Sequence, residues 1–185
     1  MNLVEWFEKG MDAKDYIEGM NTHKENLLFI YNRFRVPDRD RETFERLQEK
    51  NIRVIVLTED WCGDAMLNIP ILLRITELAK MEVRMLLRDQ NLKLMDQYLT
   101  NGTSRSIPIF IFIDQTGNEL AVWGPRAPEV QRFVDEERST LPPKDDPQYE
   151  EKQKALFQKL TSTFTNDENI WKQVYESIKE TVRKL

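Results

Sequence analysis

The stretch Ile52-Arg53-Val54-Ile55-Val56-Leu57-Thr58-Glu59-Asp60-Trp61-Cys62-Gly63-Asp64-Ala65 decides the fold. Its first half is a short, nearly continuous β-branched run, the pattern of a strand buried on both faces. Its second half opens a long apolar segment, from Ala65 to about Met81, whose periodicity predicts a helix. Cys62, the chain's only cysteine, therefore falls at the junction between a strand's end and a helix's start.

Working outward, Val83, Met85 and Leu87 alternate as a second strand, and Asn91 to Leu99 reads as a further helix. Ile109-Phe110-Ile111-Phe112-Ile113 is the strongest strand signal in the chain. Asp114 to Asn118 makes a glycine-containing hairpin loop, and Leu120 to Trp123 returns as an antiparallel strand. A helix follows the Gly124-Pro125-Arg126-Ala127-Pro128 break. Alternating βα units that end in a hairpin imply an α/β fold with a central mixed sheet flanked by helices.

Residues 1–50 read as N-terminal helices, 51–140 as the core, and 141–185 as a proline-rich linker with two C-terminal amphipathic helices. Thr22-His23-Lys24-Glu25 and Thr165-Asn166-Asp167-Glu168 match the capping-box pattern and are expected to start helices. No clear strand precedes Ile52. The apolar face of the last helix, Trp171 to Val182, is expected to pack on the domain or on a second copy of the chain.

Composition narrows the function. Hydrophobic residues make up 40% of the 185 and charged residues 32%, enough for a core inside a solvated surface. A net charge of −5 argues against nucleic acid, which needs a basic face to displace counterions from phosphates. No apolar run has membrane-helix or signal-peptide length, so a cytoplasmic protein without a membrane partner is expected. One histidine and one cysteine cannot assemble the usual zinc site, and no glycine-rich phosphate loop is present, so neither metal nor cofactor is expected.

Trp61-Cys62-Gly63-Asp64-Ala65 resembles the Trp-Cys-Gly-Pro-Cys active site of the thioredoxin superfamily. Pro70 falls where that family often has a proline in the active-site helix. Ile107-Pro108 matches its cis-proline loop, and Gly124 the glycine that often completes its substrate groove. The resemblance covers roughly residues 52 to 138. It implies a thioredoxin-like fold with extra helices at both ends. It also implies Cys62 as catalytic thiol, Trp61, Gly63, Asp64 and Ala65 as its neighbours, and Ile107, Pro108 and Gly124 as the substrate groove.

Two departures matter. Ala65 stands where the family has its second, resolving cysteine, and Asp64 replaces the proline. A helix N-terminus favours the Cys62 thiolate, whereas a carboxylate beside it opposes it. A single-cysteine thiol-disulfide oxidoreductase would act on protein or low-molecular-weight disulfides through a mixed disulfide. The alternative is a non-catalytic module that binds protein or peptide in the same groove.

Overall fold

Every residue of β2 (Arg53–Thr58) beyond Arg53 is buried, because its apolar side chains point alternately into two packed layers. In the computed structural model, which describes residues 2–185, β2 pairs in parallel with β3 (Glu82–Leu87) and antiparallel with β4 (Ile109–Ile113). The hairpin through Asp114–Asn118 brings β5 (Glu119–Trp123) against β4. Asp114 fixes that hairpin by accepting the backbone N–H groups of Thr116 and Asn118 at 2.8 and 2.9 Å.

One further strand, β1 (Met11–Asp12), pairs antiparallel with β3, so the sheet order is β1-β3-β2-β4-β5. The sequence offered no strand there. Two exposed residues carry no periodicity, and β1 is held by backbone pairing and by the Asp12–Arg84 ion pair at 2.7 Å. Helices α1 (Leu3–Lys9) and α2 (Ala13–Glu18) flank it.

The 17-residue helix α5 (Gly63–Ala79) runs unbroken through Pro70 and buries twelve of its side chains. It packs against α3 (Lys24–Arg33) and α4 (Arg41–Glu45) from the N-terminal segment and against α8 (Tyr149–Asn166) and α9 (Glu168–Val182) from the C-terminal one. A helix enclosed this way has no polar stripe in its middle turns, which is why Met66 to Leu73 is apolar apart from the buried Asn68. The apolar face of α9, including Trp171, Val174, Tyr175 and Ile178, is buried within this chain. Tyr175 donates to Asp40 at 2.7 Å, and Trp123 donates to Ser177 at 2.9 Å, so polar contacts also tie α9 to both ends of the core.

Three local expectations are corrected. Thr22 does not cap α3: its N–H donates to Asp60 at 3.3 Å, and His23 takes the cap position at φ 62° without a side-chain bond. At the second site α8 continues through Thr165, whose hydroxyl bonds back to the Thr161 carbonyl, so Asp167 caps α9 instead by accepting the Asn169 N–H. The helix expected over Asn91–Leu99 is a single turn, α6 (Leu92–Met95), after which the chain turns through Asn101 and Gly102 at positive φ. The Ile107–Pro108 and Gly124–Pro125 peptide bonds are both cis.

Candidate functional site

Cys62 is the N-cap of α5. The strand before it ends in extended backbone, and its own φ and ψ of −82° and 118° leave the sulfur facing the first turn's unpaired donors. Sγ accepts the Ala65 N–H at 3.4 Å, and the thiol points to the Ile107 carbonyl oxygen at 3.5 Å. The residue is 8% exposed. Ala65 is buried and its methyl group offers the sulfur no second thiol.

Burial pushes the Cys62 thiol up from its ordinary 9.0 to about 11, with the Asp64 carboxylate adding to the rise. The Ala65 and Asp64 N–H groups and the Arg126 guanidinium pull the other way without overcoming burial. At neutral pH Cys62 is a protonated thiol.

Asp64 is not the bare like charge that its sequence position suggests. Arg126 grips it with two parallel bonds, Nε to Oδ1 and Nη2 to Oδ2, both 2.7 Å, and the two side chains are only 14% and 13% exposed. Gln131 holds the third guanidinium nitrogen at 3.0 Å and is itself held by Asp135. Buried Asn68, one turn beyond Asp64 on α5, donates to the Pro125 carbonyl at 3.0 Å and pins the loop that carries Arg126. Nothing in the sequence pairs Arg126 with a residue 62 positions earlier.

Trp61 is half exposed, with the Arg88 guanidinium 4.9 Å from its ring centroid. Glu59, buried two residues earlier, accepts the Asp89 N–H at 2.9 Å and so locks the loop after β3 beside the site. Arg105 is paired with Asp96 at 2.7 and 3.0 Å.

The eight residues singled out from sequence fall into two groups. Trp61, Cys62, Gly63 and Asp64 line one concavity of about 1040 Å³, together with Arg126 and one face of α8. Ile107 and Pro108 are buried beside the sulfur, and Ala65 lies beneath it. Gly124 sits behind Pro108: a Cβ there would lie 2.2 Å from the Pro108 oxygen, and its φ of 128° suits only glycine. It shapes the loop and does not line the Cys62 concavity.

A strand leading into a helix whose N-terminus carries Cys62, with the sulfur facing the carbonyl before a cis proline, is the arrangement of a thioredoxin-like fold. The family model Thioredoxin_9, described as Thioredoxin, matches residues 10–138, and the chain belongs to that family. The chain is similar in fold to a Pseudomonas aeruginosa protein of unknown function, at 18% identity and TM-score 0.65 over 97% of this chain and 98% of the other. It is also similar to an HIV epitope-scaffold, at 18% identity and TM-score 0.61 over 98% and 99%. No curated protein matches the chain.

The raised thiol makes stability pH-dependent. Between pH 9 and 11 the folded state keeps a proton that the unfolded state releases. The stabilisation is complete below the unfolded value and fades as pH climbs through the folded one. The stability difference between wild type and Cys62→Ala should therefore shrink by roughly 2–3 kcal/mol between pH 8 and 11 in denaturant titrations. A difference that stays constant would contradict the burial of a protonated thiol.

Proposed function

We propose that the protein is a single-cysteine thiol-disulfide exchange protein acting through Cys62. The supporting observation is the position of the chain's one sulfur, at a helix N-terminus, beside the Ile107 carbonyl and on the wall of a cavity open to solvent. In the first step Cys62 loses its proton to solvent and its thiolate attacks a substrate sulfur. One S–S bond forms as another breaks, and the departing thiolate takes up a proton. Ala65 offers no second thiol, so a thiol from solution must attack the mixed disulfide and return Cys62 to its starting state.

The raised thiol sets the rate of that step. Relative to an ordinary thiol of 9.0, a thiol at about 11 has roughly a hundredfold less thiolate at pH 7. The remaining thiolate is more nucleophilic by roughly tenfold, because reactivity rises with basicity. On chemistry alone, then, Cys62 should exchange about tenfold more slowly than a free cysteine. Useful exchange has to come from binding the substrate beside the sulfur.

The test uses 2-hydroxyethyl disulfide at pH 9 with intact-mass detection. The folded protein should gain one mercaptoethanol adduct at Cys62, removable by added low-molecular-weight thiol. A Cys62 that stays unmodified in the folded protein, while the denatured chain reacts, would favour the second reading. In that reading the groove binds a partner without turnover, and the deep burial of the thiol together with Ala65 supports it.

A further inference from the structure

The Cys62 concavity has a wall that lies outside the residues matched by the family model. Helix α8 presents Glu150, Gln153, Lys154, Phe157, Gln158 and Thr161 to it, spaced three and four apart, so that they form one continuous face of the helix. Phe157 is the exposed apolar residue that α8 gives to the concavity, at 49%, the same fraction as Trp61, which lines it too. Leu156, Leu160 and Phe164 are the buried residues that anchor α8 to the core, and Leu160 and Phe164 reach the floor of the same concavity. Phe157 is thus not needed to dock α8, and its ring is left in solvent on the concavity that Cys62 also lines.

From this geometry we infer that α8 forms the second wall of the substrate site, and that Phe157 selects cysteine disulfides carried on a polypeptide with a large apolar residue beside the cysteine. The inference rests on Cys62 exchanging disulfides as proposed above. Three observations favour a polypeptide over a small disulfide. The volume of about 1040 Å³ lies just above the range of small-ligand sites, which span about 300–1,000 Å³. The row of carboxamides and a hydroxyl on α8 can both donate to and accept from an extended backbone. Trp61 and Phe157 offer apolar area that a small polar disulfide would leave unused.

Charge narrows the peptide further. Asp64 and Arg126 neutralise each other, whereas Arg138 and Lys154, in no ion pair among the described residues, face only Glu150. In a chain of net charge −5 this concavity has a surplus of positive charge, which suits an acidic residue near the substrate cysteine. Binding such a segment would hold its disulfide beside Cys62 and raise the local concentration that a slow thiol needs.

The experiment compares acetyl-Glu-Leu-Cys-Gly-amide, carried as its mixed disulfide with 2-mercaptoethanol, against 2-hydroxyethyl disulfide. Attack on the peptide sulfur transfers the peptide to Cys62 and releases 2-mercaptoethanol, which intact mass resolves. Wild type should favour the peptide at least tenfold. Phe157→Ser should remove most of that preference, and Phe157→Leu should restore it. Equal rates for the two disulfides, or a preference unaffected by Phe157→Ser, would overturn the inference while leaving exchange at Cys62 intact. If neither disulfide reacts, the exchange reading fails. Calorimetric titration of the same peptide into Cys62→Ser protein then decides the groove: binding weakened by Phe157→Ser supports it, and no binding overturns it.

Discussion

Gly124→Ala should destabilise the protein by about 4 kcal/mol, among the largest effects of any single methyl group added to this chain. The added Cβ would sit 2.2 Å from the Pro108 carbonyl oxygen and 3.3 Å from the Ile109 Cα, both backbone atoms that cannot swing aside. The φ of 128° adds strain for any side chain. In a chain of this length such a loss lowers the melting temperature by roughly 8–16 °C. Gly63→Ala is the control, since a Cβ there meets nothing within 4 Å, and it should change the melting temperature little. Because Pro108 follows the Ile107 carbonyl that faces Cys62, Gly124→Ala should also alter the alkylation rate of the sulfur.

The second large effect concerns the Asp64–Arg126 pair. Arg126→Met leaves a mostly buried carboxylate without its partner, which costs about 3 kcal/mol, and removes a cation that favours the Cys62 thiolate. The thiol should rise further and iodoacetamide alkylation at pH 8 should slow. Asp64→Asn has the opposite sign at the sulfur, because it deletes the carboxylate and keeps the guanidinium. Alkylation at pH 8 should then speed up by about fivefold to tenfold. If both variants shift the rate in the same direction, the pair does not act on the thiol through charge. The double variant should recover much of the stability that Arg126→Met loses, since it leaves no unpaired charge.

These two sites differ in how far the sequence disclosed them. Gly124 was legible by its place after the hairpin, and Cys62 by the junction of the Ile52–Leu57 run with an apolar helix. Both signals are local, and β2, β4 and α5 are built from local periodicity as well. The pairing of Asp64 with Arg126 is not local. It arises because α5 and the loop before α7 (Pro128–Ser139) converge only after the sheet has formed.

Phe157 shows a subtler limit. It sits in the same apolar stretch as Leu156, Leu160 and Phe164, and composition alone places all four on one side. Those three recur every four residues and turn inward, whereas Phe157 is rotated by about 100° and emerges into solvent. The missed β1 fails for a different reason: a two-residue edge strand is specified by its partner, not by its own side chains. The capping boxes failed because a competing acceptor, Asp60, took the Thr22 N–H, and because Thr165 found a partner inside α8.

Thioredoxin-family membership gives Cys62 its place, and the surroundings of the sulfur give it its character: buried, protonated at neutral pH, and without a resolving partner on the helix. The most direct test is the rate of mixed-disulfide formation at Cys62 with 2-hydroxyethyl disulfide as a function of pH. The expected profile is a rate that climbs about tenfold per pH unit and levels off only near 11, with Cys62→Ser forming no adduct at any pH. A rate that levels off below pH 8, or a folded protein that forms no adduct even at pH 10, would contradict it.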